Sequence, residues 1–161
     1  MGLFFRPMIK EDYIAVRYLL KRVTRQKGIL SEVELDDIFD KTRSSPLWNP
    51  IVGEDDCKVI AYGELLCFPH LAMEGGWEGR IERITVDEKE QGKGIGTDLT
   101  QHLLDLARTL NISKISLTVE NPKAKHIYES KFGFQIKDTQ TMELYPSHRD
   151  IANAVLEKSK M

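Results

Sequence analysis

Apolar and polar positions alternate with two different periods along the chain, and the switches between them mark the elements. Residues 3–6 read as a short strand ended by Pro7. Residues 11–22 place Ile14, Val16, Leu19 and Leu20 near helical spacing, with Val23 just beyond. Ser31 followed by Glu34 is a capping-box signature, and Leu35, Ile38 and Phe39 carry a second helix onward. Ser44-Ser45-Pro46 and Asn49-Pro50 are expected to break the pattern. Residues 51–53 and 58–68 read as strands of a hairpin joined through Glu54-Asp55-Asp56. Gly75-Gly76 marks another turn, and residues 77–86 the third strand of that meander.

The second half is more regular. A polar loop with three glycines, 87–96, separates the strand ending at Val86 from a helix. Ile95, Leu99, Leu103, Leu106, Ala107 and Leu110 lie on one face of that helix. Residues 114–119 alternate as a strand, apolar at Ile115, Leu117 and Val119. Pro122 opens a helix where its missing N–H costs nothing, and Gly133 closes it. Residues 135–145 are expected to give one or two closing strands, and 151–158 a short tail helix. The order β-α-α-β-β-β-α-β-α-β(-β) predicts an α/β fold, a mixed sheet with helices on its faces. We therefore expect a domain over 1–146 followed by a tail over 147–161.

Composition narrows the class. With 41% hydrophobic and 30% charged residues, the 161-residue chain is of the ordinary globular kind and can bury a core without staples. A formal charge of -2 carries no footprint for nucleic acid, and none is expected as a partner. No run approaches the ~18 apolar residues of a membrane span, so no membrane association is expected. Residues 1–6 gain a charge too soon for a signal peptide, and Arg6 stands where a myristoylation signal after Gly2 needs Ser or Thr. Cys57 and Cys67 are too few for a disulfide framework and read as ordinary strand residues. A cytoplasmic location is the expectation. His70, His102, His126 and His148 show no metal spacing, so no metal is expected. His126 reads as solvated and His70 as a loop residue.

The chemistry concentrates in Gln91-Gly92-Lys93-Gly94-Ile95-Gly96-Thr97, between a strand and a helix. Alternate glycines let the backbone approach a ligand closely, and the amides of the loop and first helical turn converge. The helix dipole and Lys93 add positive potential. The segment reads as a pyrophosphate cradle, the alternative being a glycine-rich turn that merely caps a helix. Its spacing fits neither a P-loop nor a G-x-G-x-x-G dinucleotide turn, because Asp98 follows Thr97 and Leu99 stands where the last glycine belongs. Gln91, Gly94 and Gly96 do fit Gln/Arg-x-x-Gly-x-Gly/Ala. Asn121, Ala124, Tyr128 and Gly133-Phe134 follow after one helix and one strand.

Together these motifs resemble the GNAT superfamily of acetyl-CoA-dependent N-acetyltransferases over about 79–145, while the N-terminal half matches only in element order. The resemblance implies acetyl-CoA as co-substrate, held by backbone amides of Gln91, Gly92, Lys93, Gly94, Ile95, Gly96 and Thr97. It implies a bulge in the strand carrying Ile84, Thr85 and Val86, a splay from its parallel neighbour, and a pantetheine arm paired along the gap. A backbone N–H near Val86 would polarise the thioester carbonyl, and Asn121 would contact the arm unless it serves as the helix N-cap. Tyr128 is the expected general acid for the departing thiolate, the alternative being a packed aromatic. Glu82, in an Ile-Glu-x-x-x-Val context that several members share, is the expected base; the alternatives are Glu64, or Glu82 merely paired with Arg80 or Arg83.

The expected reaction is direct attack by a primary amine in a ternary complex, so the partner is a small-molecule or peptide amine. A polyamine, aminosugar or similar small amine is favoured, with a protein N-terminus or lysine as the alternative and a non-catalytic acyl-CoA sensor as the second. The first two helices and the meander would wall the acceptor. Glu32, Glu34, Asp36, Asp37 and Asp40 make either an acidic wall suited to a cationic amine or a solvated face. Lys21, Arg22, Arg25 and Lys27 either meet a phosphate or are solvated. A homodimer is compatible with the resemblance, since dimers are common in proteins that look like this.

Overall fold

The structure, a computed structural model, describes residues 2–24, 28–42, 45–71 and 75–137. Among the described residues, five strands form one mixed sheet in sequential order: β1 (Phe4–Pro7), β2 (Trp48–Asp55), β3 (Lys58–His70), β4 (Gly76–Val86) and β5 (Ile112–Leu117). The helices are α1 (Tyr13–Leu20), α2 (Glu32–Thr42), α3 (Ile95–Thr109) and α4 (Pro122–Phe132). The first three pairings are antiparallel; β4 and β5 are parallel, and α3 supplies the crossover that a parallel pair requires. The chain divides into two compact units, Met1–Ile127 and Tyr128–Met161. The sheet and α1–α3 lie in the first. The expected six or seven strands include elements over 135–145; residues 135–137 lack regular structure, and 138–145 lie outside the described residues, as do 147–161 with the expected tail helix.

Helices cover both faces of the sheet because successive residues of β3 point in opposite directions. Tyr62 packs with Val52 beneath Val16 and Leu19 of α1. On the other face, a Cβ added at Gly63 would stand 2.8 Å from Ile84 and 3.2 Å from Leu99 and Leu103. The missing side chain at 63 is thus what lets α3 settle onto the sheet. Leu65, Leu99, Leu103 and Val52 are the largest apolar side chains fully removed from water. The α3 stripe follows the expected spacing, with Leu104 and Thr100 also buried and Leu110 left as the C-cap.

Several local expectations need correction. Residues 11–22 are not one helix: a 3-10 turn, Lys10–Asp12, precedes α1, which stops at Leu20. β2 begins at Trp48 rather than at the expected residue 51, so Asn49-Pro50 lies inside a strand, well past the end of α2 at Thr42. There Pro50 needs no N–H, since its side of β2 meets only Met8, whose N–H donates to the Pro50 carbonyl at 2.9 Å. The β2–β3 turn is Asp56-Cys57, both with positive φ (45° and 62°), so Cys57 is a turn residue rather than a strand residue. β5 begins two residues early, at Ile112, directly after Asn111 turns left-handed at φ 55°. His70 ends β3 rather than lying in a loop, 3.7 Å from Glu78. The expected capping box is present: Ser31 N–H donates to Glu34 at 2.7 Å and Glu34 N–H to Ser31 Oγ at 3.3 Å.

One buried charge fixes the N-terminal corner. Asp12 accepts from Arg6 Nη1 and Nη2 at 2.7 and 2.8 Å and from Ile9 N–H at 2.9 Å. Burial pushes this carboxyl up, but the guanidinium and the amide outweigh it and hold it below the ordinary aspartate value. A depressed folded pKa contributes stability above the unfolded value, lost as pH falls through the folded one. Asp12→Ala is therefore expected to cost about 3 kcal/mol in urea unfolding at pH 7. The deficit should shrink below about pH 4. A deficit independent of pH would contradict this account.

Candidate active site

β4 and the loop after it build the site. Tyr62 pairs with Thr85, yet Glu64 pairs with Glu82, so Gly63 alone opposes both Arg83 and Ile84. β4 therefore carries a one-residue bulge, with Arg83 left-handed at φ 55°. Pairing to β5 stops at Ile81↔Leu117. Residues 82–86 consequently show β5's side of the sheet an edge with no strand partner among the described residues. Ile84 turns its side chain toward Gly63, Thr85 donates to the Leu19 carbonyl at 3.4 Å, and Val86 lies against Gly96. What these residues offer along the edge is backbone.

A 3-10 turn at Glu88–Glu90 starts the loop, capped by Asp87. Gly92 and Gly94 follow with φ of 82° and 85°, a region closed to most side chains, and a Cβ at either would meet none of the described residues beyond its chain neighbours within 4 Å. The space beside both is open to a ligand. Gly94 is the N-cap of α3, Ile95 is the buried anchor of the first turn, and Asp98 supplies an early intrahelical N–H, bonding the Gly94 carbonyl at 3.0 Å. The amides of 95–97 are those a helix start leaves unpaired, and a diphosphate matches them in charge and donor demand. Gln91 acts as a brace, its amide donating to the Val86 carbonyl at 3.1 Å. Lys93 pairs with Glu90 at 2.6 Å across an exposed surface, a contact weak enough to exchange for phosphate.

The acid–base candidates fare differently. Glu82 pairs with Arg80 at 2.5 Å and is three-quarters covered. Glu64 is buried with both oxygens engaged: Oε1 accepts from Arg83 at 2.5 Å, Oε2 from Trp48 Nε1 and Tyr62 Oη at 2.8 Å each. Burial and the Glu64 carboxylate together hold the Tyr62 phenol far above its ordinary range. Asn121 Oδ1 caps α4, accepting from Lys123 N–H at 2.9 Å, which leaves Nδ2 to a ligand. In the second unit, the Tyr128 ring packs against Phe132 and Phe134, with centroids 6.4 and 5.9 Å away. The convergence of Trp48, Tyr62 and Arg83 on Glu64 is what sequence reasoning missed; the available signal was Glu64 itself, a carboxylate in the apolar run 59–67.

Between α1, α2 and the sheet lies a cavity of about 650 Å³, lined chiefly by Leu20, Leu35, Ile38, Phe39, Trp48 and Tyr62. The acids of α2 are largely spent on neighbours: Asp36 on Lys10 and Asp37 on Lys41, each at 2.6 Å, and Glu34 on Ser31. The face of α2 toward the cavity is apolar apart from Glu34, so the acidic wall is not what the cavity presents. Of the basic run, Arg22 pairs with Glu88 at 2.9 Å, while 25–27 lie outside the described residues. Among the described residues, no three His, Cys, Asp or Glu converge as metal ligands and no helix is long and apolar enough to cross a membrane. His126 is exposed, and His148 lies outside the described residues.

Comparison with known proteins agrees with this geometry. The model of the acetyltransferase (GNAT) family matches residues 14–134. A glucosamine 6-phosphate N-acetyltransferase of Candida albicans is 28% identical over 136 residues, covering 83% of this chain and 90% of the relative. Its namesake from Trypanosoma brucei brucei is 28% identical over 112 residues, covering 69% and 75%. The crystal structure of a Trypanosoma brucei acetyltransferase superposes with a TM-score of 0.79 at 26% identity, covering 89% of this chain and all of that one. A bulged strand with an open edge, a glycine turn at a helix start and a family match over three-quarters of the chain lead to one conclusion: the chain belongs to the GNAT family and is an acetyl-CoA-dependent acyltransferase.

Proposed function

We propose that the chain acetylates the primary amine of a small molecule by direct attack within a ternary complex. The observation that carries this reading is the unpartnered edge of β4 beyond Ile81, running into open-sided glycines at the start of α3. The loop amides of 92–97 would hold the diphosphate, the edge of 84–86 the pantetheine arm, and Asn121 Nδ2 its amides. Acetyl-CoA supplies an activated acetyl thioester. A backbone N–H near Val86 donates to the thioester carbonyl oxygen and stabilises the charge that grows there. Glu82, through a water, accepts the proton that the acceptor ammonium must shed before it attacks, and its contact with Arg80 fixes where the carboxylate sits. Tyr128 Oη gives its proton to the departing sulfur. The acceptor lies against the α1–α2 side of the sheet, where the cavity has the size of a small-molecule site. The relatives' names make an aminosugar phosphate the first compound to try.

Release of CoA thiol across a panel of polyamines, glucosamine, glucosamine 6-phosphate and short peptides tests this. Turnover with one or more small amines and none with peptides is expected. Turnover with peptides alone would overturn the small-acceptor reading. Tight acetyl-CoA binding without turnover anywhere, unchanged by Tyr128→Phe, would make the chain a sensor.

A further inference from the structure

Arg83 is out of place at the bulge by its own preferences. A left-handed residue is ordinarily Gly, or Asn or Asp with a short side chain that bonds locally; Arg has neither advantage. Its φ of 55° must be held by something outside the backbone. The structure contains one such restraint. Arg83 Nη1 reaches Glu64 Oε1 at 2.5 Å, and Glu64 is itself fixed, because Trp48 of β2 and Tyr62 of β3 both donate to its other oxygen at 2.8 Å. The carboxylate side chain is 8% exposed and the guanidinium 44%. Three adjacent strands thus converge on one carboxylate, which grips the single left-handed residue of β4. That residue is followed directly by Ile84, Thr85 and Val86, the edge assigned above to the acetyl arm.

We propose that Glu64 is a positioning residue that clamps Arg83 in the left-handed conformation and thereby aims the backbone of 84–86 at the thioester. The clamp rests on the acetyltransferase reading for its purpose, but its geometry can be measured without turnover. Both oxygens of the Glu64 carboxylate are engaged in this arrangement, Oε1 by Arg83 and Oε2 by Trp48 and Tyr62.

Glycine adopts the left-handed conformation unaided, and alanine does not. Glu64→Gln combined with Arg83→Gly should therefore differ from Glu64→Gln combined with Arg83→Ala, although neither pair leaves a buried unmatched charge. The glycine pair should keep kcat within about threefold of wild type, and the alanine pair should lose at least about tenfold. The Kd for CoA, set by the loop, should change less than about threefold in both. In the wild type and the glycine pair, NMR couplings and Cα shifts should report positive φ at residue 83, and in the alanine pair an extended one. A purely structural Glu64 would lower the melting temperature in both pairs alike, without restoration by glycine. Equal kcat losses in the two pairs, or unchanged φ at residue 83 in the alanine pair, would overturn the clamp. Absent turnover in the wild type, with the NMR ranking intact, would sink the acetyltransferase reading and leave the clamp standing.

Discussion

Gly94→Val is expected to abolish acetyl-CoA binding in calorimetry while leaving the fold intact. The reason is conformational. Gly94 sits at φ 85°, where any Cβ costs ~1–2 kcal/mol and a β-branched one more. Among the described residues, none beyond its chain neighbours lies within 4 Å of the added atom, so no packing clash opposes the substitution. The strain is relieved by rotating the peptide planes around residue 94, which turns away the amides proposed to hold the diphosphate. Loss of a single charge-assisted hydrogen bond is worth about 1.5–3 kcal/mol, and several are lost together. Gly96→Ala is the control. Its Cβ would meet Val86 at 3.7 Å and Ile84 at 3.9 Å, ordinary contacts, and its φ is not left-handed. Affinity close to wild type is expected there, in keeping with a motif that admits Gly or Ala at that position. Wild-type affinity in Gly94→Val would remove the loop from the binding site.

Tyr128→Phe is expected to lower kcat by about a hundredfold and to change the KM for acetyl-CoA by less than threefold, the pattern of a group that acts in the transition state. Phenylalanine retains the ring that packs against Phe132 and Phe134, so the variant should still fold and show a cooperative thermal melt. Steady-state rates with an accepted amine, measured beside a thermal melt, decide the matter. An unchanged kcat would make Tyr128 a packing residue.

The sequence revealed those parts of the fold whose causes are local. Ser31 and Glu34 announced the start of α2 because the capping bonds lie within one turn. Ile95, Leu99, Leu103 and Ala107 announced α3 because a buried face must repeat at helical spacing. The glycine turn was legible for the same reason: positive φ at Gly92 and Gly94 is a property of single residues. What stayed hidden depends on distant partners or on atypical residues. Asp56-Cys57 makes a two-residue hairpin turn without the glycine that ordinarily signals one. Pro50 looks like a breaker until β1 is seen to end beside it. The bulge was implied only by family resemblance, since an arginine gives no hint of a left-handed backbone. The grip of Glu64 on Arg83 joins residues 19 positions apart, and its further partners come from β2 and β3, so only the assembled sheet shows it.

Binding of a diphosphate by the amides between 92 and 97 underlies the proposed function. It is tested most directly by amide chemical shifts of 15N-labelled protein titrated with CoA and, separately, with pantetheine, which lacks the diphosphate. Large downfield shifts are expected at Gly92, Gly94, Ile95 and Gly96 with CoA, and none of that size with pantetheine. Saturable CoA binding that leaves those four amides unmoved would contradict it.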